Sequence, residues 1–508
     1  LYAVETVRML IDRGLVRETD DGHYEMAGEV GDVDIPNSLH GLVGARLDQF
    51  DGDARALIAD AAILGQSFRP EALGRIRDED QESLRRRLDE LVGKEILSLN
   101  RDPRSPERGQ YQFVQAIIRE VAHERVSRAD RLRLHQEVAA FYESREEPEL
   151  AGIAASHYLD ALEAAADGPD AEFLRPKVIE SLHAAADRAD LLGSFSQVVS
   201  LCLRGVDLSS DPGERSRLLA RAARAAHSAL DDQAPDLADR ALAESKESGD
   251  PVAAVRAAEV YGKLRDDVGD SHEAWPVLLE ILEAHPGDTP EHVTAMAELA
   301  RSLMLDDQPG AMVWAEQGLA LAEALDMLPT IAELWATKGA GLGNAGRLRE
   351  GGVLLNASLE LARENQLLAT KRRAMANINY LEGGQFDPFV EERIEDARRL
   401  GDNRLLAEAL LTLAGRWYMT LDMSEYEAAV AELDALSLDA GTKDAVDEMQ
   451  SHLTMLRGQV AEGISAAEER WARQGPGDSQ TEANRQLERA QHLWYLSLIH
   501  ISEPTRHI

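Results

Sequence analysis

Leu334-Trp-Ala-Thr-Lys-Gly-Ala-Gly-Leu-Gly-Asn-Ala-Gly346 is the stretch that decides the fold of this chain. Trp335, Gly339 and Leu342 fall at i, i+4 and i+7, on one face of a helix. Gly346 is placed to end that helix, because glycine tolerates the left-handed backbone that closes one. Residues 347–364 then predict a second helix with Gly351, Leu355 and Leu359 on a common face. Small residues let paired backbones approach closely, and large ones fill the space between successive pairs.

The pattern can be followed outward. With Leu359 as the marker of the second helix, comparable positions are Val206, Leu242, Leu282, Leu319, Ile394, Leu436 and Trp471. The successive steps are 36, 40, 37, 40, 35, 42 and 35 residues, longer and less even than a strict 34-residue helix pair. The order Trp, Gly, aliphatic, Gly, small, bulky, aliphatic in 335–359 resembles the tetratricopeptide repeat, with Lys338 and Ser358 as departures. Eight such pairs predict an α-solenoid with a concave face suited to a protein or peptide ligand.

Upstream, the texture changes. Residues 2–14 predict a helix, and 15–26 a hairpin turning at Asp21-Gly22. Helices follow around Leu39, Leu42, Val43 and Leu47, then Leu57, Ala61 and Leu64, with Asp53 as cap and Gly65 as stop. A third is expected over 83–92. Strands are predicted at 95–99 and 110–114 around a tip of Pro and Arg, then a helix over 117–126. Three helices and a two-stranded wing make a winged-helix pattern. The fold class expected is therefore mostly α, a winged-helix module followed by the solenoid.

Bulk properties narrow the function. The chain has 508 residues, 44% hydrophobic and 29% charged, with a net charge of −38. That field opposes nucleic acid and anionic membranes, and no run approaches the length of a membrane span. The single cysteine, Cys202, excludes a disulfide scaffold and suits a reducing, cytoplasmic setting. One segment is different: residues 75–133 hold 14 Arg and Lys against 12 Asp and Glu. Arg85, Arg86 and Arg87 fall on the third helix, and Arg101, Arg104 and Arg108 on the wing tip, where a DNA-binding winged helix would use them. The alternative expectation is local pairing with Asp89, Glu90 and Glu107.

No catalytic, cofactor-binding or metal residue is expected. Gly341 to Gly346 spells G-x-G-x-x-G, but a dinucleotide loop must follow a strand, and this one ends a helix. The nearest tokens to a P-loop, Gly93-Lys94 and Gly262-Lys263, lack its following Ser or Thr. The fourteen histidines form no H-E-x-x-H pair, and most are expected at the surface or in repeat packing. The triplet Asn356-Ala-Ser358 is expected to be idle as a glycosylation site.

Four stretches carry a further resemblance. Leu1-Tyr-Ala-Val-Glu-Thr-Val-Arg-Met-Leu10 resembles the helix after the Gly-Asn-Pro loop of STAND-type AAA ATPases. Residues 35–48, Ile-Pro-Asn-Ser-Leu-His-Gly-Leu-Val-Gly-Ala-Arg-Leu-Asp, resemble that family's entry to the winged helix, and 60–68, Asp-Ala-Ala-Ile-Leu-Gly-Gln-Ser-Phe, the stretch that follows. Residues 102–122 are similar to the branch linked to class III adenylate/guanylate cyclases, with Gln115 where many STAND proteins carry a His that can sense nucleotide. The resemblance implies a regulatory and sensor fragment of a multidomain signal-transduction ATPase. Its divisions are 1–34, the end of the NTPase module; 35–145, the winged helix; 146–495, the repeats; and 496–508, read as a non-native tail. The opening at Leu1, within a helical pattern, is read as a start inside a longer protein. ATP and Mg²⁺ are implied for an NTPase core outside these residues, which would itself be a partner of this fragment. Two other readings stay open: a large LuxR-type ATP-binding transcription regulator, and a tetratricopeptide adaptor with a DNA-binding winged helix.

Overall fold

A computed structural model describes residues 16–18, 24–26, 39–105, 107–166, 168–229, 231–267, 269–383, 387–401, 403–420, 423–436 and 440–474. The expected helix over 2–14, the Asp21-Gly22 turn and the tail over 496–508 lie outside these residues. The chain divides into two compact units, Leu1–Ser302 and Leu303–Ile508.

In the first unit β1 (Val16–Glu18) pairs antiparallel with β2 (Tyr24–Met26), Val16 opposite Met26. Four helices follow: α1 (Leu39–Leu47), α2 (Gly52–Leu64), α3 (Pro70–Arg77) and α4 (Gln81–Gly93). The helix α3 was not foreseen; eight residues led by Pro70 are too short to show a clear period. The cap of α2 is Asp51, which accepts from the Ala54 amide at 2.7 Å, and Asp53 sits in the first turn instead. Gly65 ends α2 with φ +120°. Two residues, Ser67–Phe68, form β3, which pairs with β5 (Tyr111–Phe113); β5 in turn pairs with β4 (Leu97–Leu99). The expected two-stranded wing is therefore a three-stranded sheet of order β3-β5-β4. Phe68 lies 6.2 Å from Tyr111 and 6.3 Å from Phe113, ring centre to ring centre, in the middle of the core.

Two further helices, α5 (Ala116–Glu124) and α6 (Arg128–Glu143), close this core. The core does not stop there. Val138 and Tyr142 of α6 belong to it, and so does Ala154 of α7 (Ala151–Ala165). Ala139, on the other side of α6, joins Ala155, Tyr158, Val178 and Leu182 in the next cluster, with α8 (Pro169–Leu191).

From α8 the helices pair. α9 (Phe195–Leu208), α11 (Ala234–Ser248) and α13 (Ser271–Ala284) are second helices, packed against first helices α8, α10 (Pro212–Ser228) and α12 (Pro251–Asp267). Starts are encoded by Asp-Pro: Asp211 accepts from the Gly213 and Glu214 amides, and Asp250 from those of Val252 and Ala253. Proline then occupies a first-turn position that needs no donor. α14 (Pro290–Leu305) follows as a further first helix.

In the second unit α15 (Ala311–Ala324), α16 (Leu328–Asn344), α17 (Leu348–Glu364), α18 (Leu368–Leu381), α19 (Val390–Leu400), α20 (Asn403–Thr420), α21 (Met423–Asp434), α22 (Ala440–Leu456) and α23 (Val460–Gln474) continue the alternation. The fold is mostly α, a solenoid of tetratricopeptide-like helix pairs. α16 and α17 meet where a Cβ on Gly351 would stand 2.6 Å from the Gly339 carbonyl oxygen, and one on Gly339 2.8 Å from Leu355. Only glycine permits that approach. The same device recurs at Gly262 against Leu278 and at Gly463 against the Ser451 carbonyl. Ser358, the departure from the repeat pattern, is fully buried and donates to the Ala332 carbonyl at 2.7 Å, tying α17 to α16.

Marker positions Val206, Leu242, Leu282, Leu359, Ile394 and Trp471 are buried on second helices. Two are not as expected. Leu319 is half-buried while Ala315, Gly318 and Ala322 take the interior of α15, and Leu436 lies past the end of α21, whose buried residues include Tyr426, Ala429, Val430 and Leu433.

Candidate functional site

Two concave sites stand out in the first unit. One is a groove of about 580 Å³ on the first helices α8, α10, α12 and α14. Its surface is charged yet internally matched. Arg217 bonds Glu214 at 2.7 Å and Asp250 at 2.5 Å, Arg221 bonds Asp187 at 2.7 Å, and Arg256 bonds Glu291 at 2.6 Å. Arg224 pairs with Glu259 across the same rungs. Apart from Arg217–Glu214, which lies within α10, these bonds cross from one first helix to the next, so the groove is an ionic lattice with polar edges, suited to a peptide or protein surface that can exchange partners with it.

The other is a cleft of about 830 Å³ where the end of α2 meets α5, α6 and α7. Three histidines approach it: His123 on α5, His135 on α6 and His157 on α7. His135 and His157 are buried, with their Nδ1 atoms 3.0 Å apart. The His157 ring stacks on Tyr142, 6.1 Å between centres, and the His123 ring sits edge-on to His135. Burial, assisted by the neighbouring His157, His123 and Arg131, pushes His135 down to about 3, and burial pushes His157 down to about 4. Both rings are therefore neutral near pH 7, and one Nδ1–H donates to the other Nδ1. Asp160, one turn along α7 from His157, brings Oδ2 to 3.6 Å from His135 Nδ1. Burial raises the Asp160 carboxyl, with Glu163 adding to the rise and Arg119 opposing it. The donor atoms of His135, His157 and Asp160 all lie within 4.8 Å of one another and could hold a metal ion. Arg119, Arg128 and Arg131 line the same cleft.

This buried pair stands apart from the expectation that most histidines lie at the surface or in repeat packing. Each sits on an apolar helix face, beside Leu134 and Val138 or Ala154 and Tyr158, which is the signal that could have found them.

The basic stretch is placed differently from expectation. Arg85 reaches Glu71 at 3.4 Å, Arg87 bonds Glu79 at 3.0 Å and also the Asp53 carbonyl, and Asp89 instead accepts from Tyr111 Oη at 3.1 Å. Arg86, Arg101, Arg104 and Arg108 are exposed. Residues Gly341 to Asn344 are the last turn of α16, and Gly346 turns at φ +77°, with no strand before them. That geometry offers no cradle for a phosphate, because the amides are spent on the helix. Cys202 is buried, and burial pushes its thiol up to about 11, which makes it inert. No helix among the described residues is long and apolar enough to cross a membrane.

No protein-family profile matches the chain, and no curated protein matches it. Among solved structures, a signal transduction ATPase with numerous domains (STAND) protein carrying a tetratricopeptide repeat sensor, from Pyrococcus horikoshii, aligns at 12% identity and a TM-score of 0.35. The alignment covers 79% of this chain and 66% of that one, so this chain spans just under two thirds of that protein's length. A putative kinesin light chain of nearly identical TPR-like repeats from Podosopora anserina aligns at 18% identity and a TM-score of 0.30, covering 38% of this chain and 98% of that one. A single-residue variant of the same protein gives 19% and 0.31 over the same shares. At such scores the alignments carry no functional argument.

Proposed function

We propose that this chain is the sensor and protein-interaction part of a STAND-type signal-transduction ATPase joined to a class III nucleotide cyclase. The observation that carries the reading is the unbroken packing from module to repeats: α6 gives Val138 and Tyr142 to one core and Ala139 to the next. A protein or peptide seated in the groove of α8, α10, α12 and α14 touches, through α8, a helix that shares a core cluster with Ala139 of the module. If the ligand favours one arrangement of those helices, the difference in affinity sets the output of the parent protein.

Under this reading residues 39–143 are a winged helix that docks on the NTPase core, and ATP and Mg²⁺ belong to that core. The setting is the cytoplasm, and neither nucleic acid nor membrane is a partner. The described parts of three of the stretches that resemble the family support it: they fall on α1, on the end of α2 with β3, and on the β4–β5 tip through α5. The test is to sequence the source DNA on both sides of this reading frame. A P-loop ATPase preceded by a cyclase domain upstream is the expected result. An ATPase with no cyclase, followed by a helix-turn-helix, would move the reading to a transcription regulator. No ATPase at all would overturn it.

A further inference from the structure

We propose that His135, His157 and Asp160 form a binding site for a divalent transition-metal ion, Zn²⁺ or one of similar size, at the seam between module and repeats. This goes beyond the sensor reading and does not depend on it.

The geometry is the argument. Two imidazole nitrogens on one tetrahedral zinc stand about 3.3 Å apart, and their ring centres about 5 Å apart, given Zn–N bonds of about 2.0–2.1 Å. Here the two Nδ1 atoms are 3.0 Å apart and the ring centres 5.2 Å. The His135 Nδ1 to Asp160 Oδ2 distance of 3.6 Å is close to a second edge of the same tetrahedron. The third edge, from His157 to Asp160, lies within 4.8 Å, so an ion completes the set by drawing the half-exposed Asp160 side chain inward.

The donor types also fit. Two nitrogens and one carboxylate suit zinc, and three protein ligands leave a fourth position open. Asp160 keeps about half of its side chain exposed (49%), which gives an ion a way in. The stacked Tyr142 ring holds His157 in place, as a ligand ring must be held to bind tightly. Arg119, Arg128 and Arg131 would repel the ion on their own, and the Asp160 charge offsets only part of this. The open fourth position therefore takes a water or a small anion, which the arginines attract. A cleft with three arginines, two buried histidines and an acid at its mouth is explained by that combination. A hydrogen-bonded histidine pair alone leaves the acid without a reason, whereas Arg128 is also held by the Ala164 carbonyl at 2.7 Å.

The full chain, stripped with a chelator, is titrated with Zn²⁺ alone and with Co²⁺ alone. One saturable equivalent per chain is expected, and Co²⁺ should give the intense visible absorption of a four-coordinate ion. Asp160→Asn, at the half-exposed ligand, should leave the far-UV circular dichroism unchanged and weaken binding by roughly tenfold or more. His157→Gln should do the same, with Asp160→Asn keeping the test valid if that core variant misfolds. His40, Glu120 and Glu124 form an exposed cluster of possible ligands on α1 and α5, so His40→Ala serves as control and should bind as the wild type. No saturable binding, a weak six-coordinate cobalt spectrum, unchanged affinity in Asp160→Asn, or loss of binding in His40→Ala would each overturn the proposal.

Discussion

The module of residues 39–143 and the helix pairs that follow are both mostly helical, yet they are held together in different ways. The module concentrates its stability. Phe68, Tyr111 and Phe113 interlock at the centre of a sheet whose strands come from three separate places in the chain. The pairs distribute theirs. Their interiors are alanine, leucine and glycine, and their edges carry ion pairs to the next repeat: Arg224 to Glu259 and Arg256 to Glu291, each 35 residues on, and Arg398 to Glu432, 34 residues on. Each repeat answers mainly to its neighbours, so a local loss there should stay local, whereas one in the module should spread.

The largest effect should come from emptying the module's centre. Phe68→Ala removes a ring that is 2% exposed and should cost about 3–5 kcal/mol, read as loss of the module's denaturation transition. Next comes the closest contact between paired helices. Gly351→Ala drives a methyl into the Gly339 carbonyl and should destabilise by about 1–3 kcal/mol. Gly352→Ala, where nothing lies within 4 Å, should instead stabilise by about 0.5–1 kcal/mol. If both alanines acted alike in thermal unfolding, the glycine contact would not be what sets the helix spacing.

Those two glycines also show what was legible in the sequence. Gly339, Leu342, Gly351, Leu355 and Leu359 carry their roles in their spacing, because helix periodicity is local. The same locality explains the misses. A strand of two residues, Ser67–Phe68, has no period to read, and its partner Tyr111–Phe113 is more than 40 residues away. His135 and His157 converge only once α6 and α7 lie side by side, and spacing along the chain does not encode that. The arginines of α4 found Glu71 and Glu79 rather than the nearer acids, because those nearer acids point elsewhere, Asp89 to Tyr111. Leu436 misled because it shares the composition of its helix but lies two residues beyond its end.

A smaller effect should follow acidity. The hydrogen bond from His183, reinforced by Arg217 and opposed by burial, holds the Glu214 carboxyl down to about 2. A depressed folded-state value adds stability that is fully present above the unfolded value of 4.5 and is lost as pH falls through about 2. Glu214→Gln should therefore lower the urea midpoint at neutral pH, and the gap to wild type should close as pH falls toward about 2. The smallest effect belongs to one rung of the ladder. Arg256→Ala removes a half-exposed pair and should cost less than about 1 kcal/mol, falling further in high salt. A loss as large as that of Phe68→Ala would mean that the repeats do not share load as described.

The two-sided helix α6 has a practical consequence for anyone cutting this protein into pieces. A fragment ended after residue 145 would carry α6 with one flank bare, since Ala139 would have lost Ala155 and Val178, and Tyr142 the neighbourhood of Ala154. Such a piece would be sticky. The cleaner place to divide the polypeptide is after α9, which completes the pair begun by α8 and lays Leu201 and Leu208 against the same cluster.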